Sequence, residues 1–304
     1  MEYVLTADSL TKKYRQFKAL DHLSLHIPKG AIYGMVGKNG AGKTTLIRVI
    51  CGLQDATEGE YILYGKKNTD KDIHKSRRRM GAVVETPSIY LGMTAEENLK
   101  EQYRILGMPS FEGIKELLEL AGLEDTGKKK AKHFSLGMRQ RLGIAIALCG
   151  QPDFLVLDEP VNGLDPQGII EIRELILKLN REQNITFLIS SHILDELSRL
   201  ATHYGFVDGG RMVKELSAKE LEEACRKCVR VEVSDVKALS RVLDKMGLDY
   251  NVVSHTQADI FARVNLTELI HALDHENCQV LTASERDESL EGYFISLIGG
   301  ANHE

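Results

Sequence analysis

The sequence is poor in cysteine, with five in 304 residues, and it has no long uninterrupted apolar run. So few thiols do not make a disulfide framework, and they fit a reducing, cytoplasmic compartment. The longest apolar stretch, residues 142–149, falls far short of the roughly 18 residues a membrane-spanning helix needs, so the chain is not expected to cross a membrane by itself. Residues 1–8 lack the basic-then-apolar pattern of a secretory signal peptide. Excess positive charge is missing too. The net charge is −5, and from Lys219 onward 9 basic residues face 16 acidic ones, leaving residues 1–218 at +2. An acidic tail repels phosphate backbones, which argues against a nucleic-acid partner.

What is present is a globular composition, 43% hydrophobic and 27% charged, which excludes a disordered chain. The length is enough for two domains and a sizeable core. Residues 31–36, 153–157 and 185–189 are short apolar runs that read as buried strands. They alternate with amphipathic stretches, which predicts an α/β domain with a parallel core sheet. Residues 4–27 alternate apolar with polar and predict an antiparallel β subdomain with one solvated face. Between about 94 and 141 the pattern turns helical, with Ile114, Leu117, Leu118 and Ala121 at helical spacing and Gly122 as a stop. Ser217 to Glu220 resembles a capping box opening a linking helix, so the first domain is taken as 1–216 and the second as 217–304. The second reads β-α-β-β-α-β over 229–233, 236–246, 250–254, 260–264, 266–273 and 279–282, with a last helix over about 287–297. That order predicts a small α+β domain of ferredoxin-like type.

Residues 37–44 read Gly-Lys-Asn-Gly-Ala-Gly-Lys-Thr, a match to G-x-x-x-x-G-K-[ST] between a predicted strand and a helix over 43–51. Glycines let backbone N–H groups curl around an anion, and the helix N-terminus adds partial positive charge. In such a loop Lys43 reaches the β- and γ-phosphates and the Thr44 hydroxyl ligates Mg²⁺. The strand over 154–157 ends in Asp158 and Glu159. Carboxylates at the C-terminal end of a parallel strand face the ligand crevice. Asp158 is therefore expected in the Mg²⁺ shell and Glu159 as the general base on the attacking water.

With these motifs the chain resembles the nucleotide-binding subunits of ABC transporters over about residues 3–216. Residues 134–138, Phe-Ser-Leu-Gly-Met, are similar to the family's L-S-G-G-Q signature and precede an apolar helix. Asn162 to Asp165 looks like the D-loop, with Leu164 and Asp165 as its site residues, and His192 after Ser190 and Ser191 looks like the switch histidine. Tyr14 stands where the family places an aromatic that stacks on adenine. The resemblance implies that Gly37, Lys38, Asn39, Gly40, Ala41, Gly42, Lys43, Thr44 and Thr45 bind ATP. It implies that Ser135, Leu136, Gly137 and Met138 meet the phosphate loop of a second subunit, so that the cassettes dimerise on ATP. It also implies a separate integral membrane permease, with this subunit peripheral on the inner face.

Two departures stand out. Leu136 replaces the first signature glycine and Met138 the glutamine, while Ser135 and Gly137 keep the hydroxyl and the close backbone approach. Glu85 stands where the family has a glutamine that reaches Mg²⁺ and the attacking water. A carboxylate only accepts and adds negative charge beside the metal, so this is not a neutral swap. With Thr86 and Pro87 after it and residues 93–99 reading Met-Thr-Ala-Glu-Glu-Asn-Leu, the segment is similar to the bacitracin-resistance and lantibiotic-immunity branch, which exports antimicrobial peptides. Other readings stay open at this stage: a soluble ABC ATPase acting on ribosomes or nucleic acid, and a regulatory module that binds ATP without hydrolysing it. Cys225 and Cys228 with His271 and His275 imitate a zinc site, but the gap is far longer than a finger allows and packing is the expected role. The basic runs 77–79 and 128–130 are expected to be solvated.

Overall fold

The alternating residues at the start of the chain form a hairpin of β1 (Tyr3–Tyr14) and β2 (Phe17–Pro28). On β2, Leu23, Leu25 and Ile27 are fully buried while His22, Ser24 and His26 lie on the other face, the period-2 pattern of a half-buried strand. The computed structural model describes residues 2–225, 228–262, 264–286, 292–295 and 297. They divide into two units, Met1–Ala218 and Lys219–Glu304.

The first unit continues with β3 (Ile32–Val36), α1 (Lys43–Ile50), β4 (Glu58–Leu63), β5 (Lys66–Lys67), α2 (Ile73–Arg77) and β6 (Met80–Val83). Three helices follow, α3 (Ala95–Leu106), α4 (Ile114–Leu120) and α5 (Leu136–Leu148). The unit closes with β7 (Phe154–Asp158), α6 (Pro166–Gln183), β8 (Thr186–Ser191), α7 (Leu194–Ser198), β9 (His203–Asp208) and β10 (Arg211–Ser217). The antiparallel sheet has the order β2-β1-β4-β5, and the core sheet β10-β9-β3-β8-β7-β6. In the core sheet only β10 runs antiparallel to its neighbour. Every residue of β3, β7 and β8 is buried, which is why these strands read as continuous apolar runs.

The helical subdomain is nucleated at a cap. The Thr94 hydroxyl accepts from the Glu97 N–H at 3.1 Å and the Glu97 carboxylate accepts from the Thr94 N–H at 2.7 Å, a capping box that starts α3. Its core joins Leu99, Tyr103, Ile114, Ala121, Phe134, Leu142 and Ala145. Helix α5 contains the apolar run expected after the signature, with Leu142, Ile144, Ala145 and Leu148 buried. The 77–79 run is not simply solvated. Arg77 donates to the Tyr61 hydroxyl at 2.5 Å, and Arg79 pairs with Asp153 and lies 3.8 Å above the centre of the Tyr64 ring.

Helix α8 (Ala218–Ala224) begins on the last residue of the first unit, and the second unit continues with β11 (Cys228–Val233), α9 (Val236–Met246), β12 (Tyr250–Val252), β13 (Gln257–Ile260), α10 (Leu266–Asp274) and β14 (Val280–Arg286). Its sheet order is β12-β13-β11-β14 with all neighbours antiparallel. Val231, Val233, Leu239, Leu243, Ile260, Leu269 and Leu273 fill its core. The third strand lies earlier than the expected 260–264. The Val253 and Ser254 N–H groups both bond to the Gln257 carbonyl, so the hairpin closes there and pairing begins at once. The last strand is longer than expected because it pairs along the whole of β11, from Cys228 with Arg286 to Val233 with Val280. The helix expected over about 287–297 falls largely outside the described residues. His271 sits in α10 and His275 at its C-cap.

Candidate functional site

The phosphate-loop residues occupy the turn from the end of the central strand β3 into α1, where the backbone passes close to that of β9 and β2. A methyl group added at Gly37 would sit 2.5 Å from the Val207 carbonyl oxygen, and one at Gly42 2.6 Å from that of Ala19. Gly42 also has φ of 108°, a conformation that side chains disfavour. No side chain caps α1, so its first N–H groups remain available to an anion. Lys38, Asn39 and Gly40 are exposed, Ala41 and Lys43 are buried, and Thr44 and Thr45 are partly so.

Around that turn six side chains converge. Lys43, 5% exposed, donates through Nζ to the carbonyls of Gly37 at 2.6 Å and Lys38 at 3.3 Å, and lies 3.2 Å from Glu159 Oε1. The Thr44 hydroxyl donates to Asp158 Oδ2 at 2.8 Å. Asp158, 1% exposed, has its other oxygen satisfied by the Ser190 hydroxyl at 2.5 Å. A buried carboxylate needs such partners, and here both oxygens have one. Ser190 also accepts from the Glu159 N–H at 2.9 Å, tying the end of β7 to β8. Glu159 has φ of 49° and presents its second oxygen to His192 Nδ1 at 2.8 Å. The Thr44 hydroxyl and the Asp158 carboxylate are hard oxygen donors on one spot, the set that suits Mg²⁺. Nearby Cys51, the C-cap of α1, is a neutral thiol, its pKa pushed up to about 12 by burial.

Glu85 is placed differently. It follows β6 with φ of 60°, and its carboxylate pairs with Arg48 of α1. Arg48 is four residues after Thr44 on that helix, hence on the same face one turn along. Glu85 shares no hydrogen bond with Thr44 or Asp158. Tyr14 ends β1 with its ring 41% exposed, its hydroxyl bonded to Gln54, and Lys12 Nζ 5.4 Å from the ring centre.

The signature stretch is not joined to the phosphate loop of the same chain by any hydrogen bond. Ser135 is the N-cap of α5 and accepts from the Met138 N–H at 3.2 Å, while Leu136 is 50% exposed. Met138 packs on the helical core. The stretch instead lies against the D-loop. A methyl at Gly137 would be 3.9 Å from Leu164 and 3.7 Å from Gly168, and one at Gly163 3.4 Å from Leu136. Asp165 caps α6 by accepting from the Gly168 N–H at 3.1 Å. Sequence reasoning missed Arg48, whose signal was its i+4 spacing from Thr44, and the bridging role of Ser190, a hydroxyl closing an apolar strand.

A phosphate loop, two strand-end carboxylates and a capped signature helix on a six-stranded core sheet define an ABC cassette of the P-loop NTPase class. The family model described as ABC transporter matches residues 20–162. The chain is 41% identical over 303 residues to the bacitracin transport ATP-binding protein BcrA of Bacillus licheniformis, covering 99% of each. It is also 41% identical over 212 residues to the lantibiotic transport ATP-binding protein SrtF of Streptococcus pyogenes, covering 70% of this chain and 90% of that one. Among solved structures it is similar to the dimeric, post-hydrolysis ATP-binding cassette MJ0796 bound to ADP and Pi. The TM-score is 0.63 and the identity 27%, over 70% of this chain and 98% of the other. The chain belongs to the ATP-binding subunits of ABC transporters, which are ATPases. Among the described residues no helix is long and apolar enough to cross a membrane.

Proposed function

We propose that this subunit powers export of an antimicrobial peptide of the bacitracin or lantibiotic kind through a separate integral membrane permease, working at the cytoplasmic face as one of a pair of cassettes. Similarity to a bacitracin transport subunit along 99% of both chains supports the cargo class. The observation that carries the motor is Glu159 held between Lys43 and His192 at the mouth of the phosphate loop.

Residues 1–216 are the motor in this reading and 217–304 an accessory domain. Gly37 to Thr45 wrap the triphosphate of ATP, with Tyr14 against the adenine. Thr44 and Asp158 would hold Mg²⁺, which when bound neutralises charge on the phosphate oxygens. Lys43 has its strongest anionic partners in those oxygens, so nucleotide binding draws it off Glu159 and frees the carboxylate. Glu159 then accepts a proton from the water that adds to the γ-phosphorus as the bond to the β-phosphate oxygen breaks, giving ADP and Pi. His192 is the positioning residue that keeps Glu159 turned toward that water. Ser135 to Met138 of a second copy bring a hydroxyl and a helix N-terminus to the γ-phosphate, beside Leu164 and Asp165. The loop from Glu85 carries Tyr90 and Leu91, 51% and 46% exposed, toward the permease.

The test is resistance in cells that carry the chain with its permease. Lys43→Ala should raise sensitivity to bacitracin or to a lantibiotic to the level of a deletion. Unchanged sensitivity to both, with the variant protein present at normal amounts, overturns the export reading.

A further inference from the structure

The phosphate loop is braced from behind by two backbone segments, and one carboxylate holds those segments together. The brace is tight. Besides the contacts at Gly37 and Gly42, a methyl at Gly210 would sit 2.7 Å from the Ala19 carbonyl oxygen. Gly210 connects the parts: its carbonyl accepts from the Asp21 N–H at 2.9 Å, and its N–H donates to the Ala41 carbonyl at 3.0 Å. A backbone path of two hydrogen bonds therefore runs from β2 through the turn before β10 into the loop. At the side-chain level the Asp21 carboxylate, 11% exposed, closes the same junction. It accepts from Lys18 Nζ at 2.7 Å, from His22 Nδ1 at 3.0 Å, and from Arg211 through Nε at 2.8 Å and through Nη2. Hydrogen bonds from Lys18 and Arg211 hold its carboxyl well below the usual carboxylate range, so it is charged whenever the protein is folded near neutral pH.

We propose that Asp21 is a positioning residue for the phosphate loop: held charged by Lys18 of its own strand, it clasps Arg211, locks β2 to the β9–β10 turn and so sets the position of the Ala41 and Gly42 backbone. Nothing in the role requires Asp21 to touch the nucleotide. It acts through Gly210, and its effect is on how well the loop is formed before the nucleotide arrives. Charge-assisted hydrogen bonds are roughly twice as strong as neutral ones, so an amide of the same shape is a poor substitute. The cationic partners are largely exposed, 42% for Lys18 and 68% for Arg211, and can turn to water when the clasp is removed, so the loss falls on the brace.

The proposal rests on the loop being the triphosphate site, and the experiment separates the two. Binding of a fluorescent ADP analogue is measured together with amide hydrogen exchange over residues 37–44 in the nucleotide-free protein. Asp21→Asn should weaken the analogue by about tenfold, the size of one charge-assisted hydrogen bond, and speed exchange in the loop, with Asp21→Glu restoring both. An Asp21→Asn protein of normal melting temperature, wild-type affinity and unchanged loop protection overturns the proposal. Should that variant not fold, Arg211→Gln, altered at the surface end of the clasp, carries the same test, and wild-type affinity and protection there overturn it equally. Lys43→Ala reports on the loop itself: if it binds the analogue as tightly as wild type, the triphosphate assignment fails whatever Asp21 does.

Discussion

The phosphate-loop side and the signature side of the cassette are finished to different degrees within one chain. At the loop the buried charged groups are already paired: Lys43 with Glu159, Glu159 with His192, Asp158 with Thr44 and Ser190. At the signature, Ser135 does no more than cap its own helix, and Leu136 stands half in solvent. Side chains that already hold one another must exchange partners when a ligand arrives, whereas an exposed helix N-terminus with no charged side chain of its own only has to be approached. The difference teaches where each step of the cycle resides. In the cycle proposed above, nucleotide capture is a rearrangement inside one chain and closure onto the γ-phosphate takes a surface from a second copy.

The comparison is broken most sharply at Glu159. Glu159→Gln keeps a group that can bond to His192 but can no longer take a proton. Turnover should fall by about 100- to 1000-fold, the reach of a general base, while ATP binding is retained and an ATP-dependent dimer persists. Steady-state phosphate release and size-exclusion chromatography read the two halves of that outcome, and undiminished hydrolysis would remove Glu159 from its role. A smaller effect is expected across the divide. Ser135→Asn preserves an N-cap but replaces the hydroxyl, so helix α5 and nucleotide binding by the isolated subunit should stand. Turnover should drop about tenfold, as for one lost hydrogen bond to a charged group. If Ser135→Asn instead weakens binding to the monomer, the two sides are not separable as described.

The contrast also explains which parts were legible in the sequence. The phosphate loop and the 154–159 strand carry their geometry in their residue types. Glycines are demanded where backbones meet, as at Gly37 against Val207, and a fully buried strand is apolar up to the carboxylate that the Thr44 and Ser190 hydroxyls satisfy. Strand ends in the second unit were harder to place. The shift to Gln257–Ile260 was decided by a turn that closes on one carbonyl, and the extension to Arg286 by the length of its partner β11. Both are tertiary facts that local patterning does not encode. Asp21 stayed invisible for the same reason, since Arg211 lies 190 positions away in the chain. The helical subdomain was legible through Ile114 and Ala121, and the apolar helix after the signature through the run from Leu142 to Leu148.

Glu85 lies between the two sides, and it gives the smallest and most discriminating prediction. Its carboxylate and the Arg48 guanidinium are both substantially exposed, 55% and 35%, so the pair is worth less than about 1 kcal/mol as a stabilising contact. Its importance is positional. Arg48 shares a helix face with Thr44, and if Thr44 and Asp158 hold Mg²⁺ as proposed above, its hold on Glu85 keeps a second negative charge from competing for that ion. Glu85→Gln and Arg48→Gln should therefore each change the Mg²⁺ concentration that supports half-maximal nucleotide binding by about twofold to fourfold. They should act in opposite directions, since one removes the carboxylate and the other releases it. In the double variant the Arg48 substitution should have no further effect, because no carboxylate remains to release. Titrating Mg²⁺ against binding of a fluorescent nucleotide in the four proteins completes the cycle, and independent, additive shifts would show that the pair plays no part in metal capture.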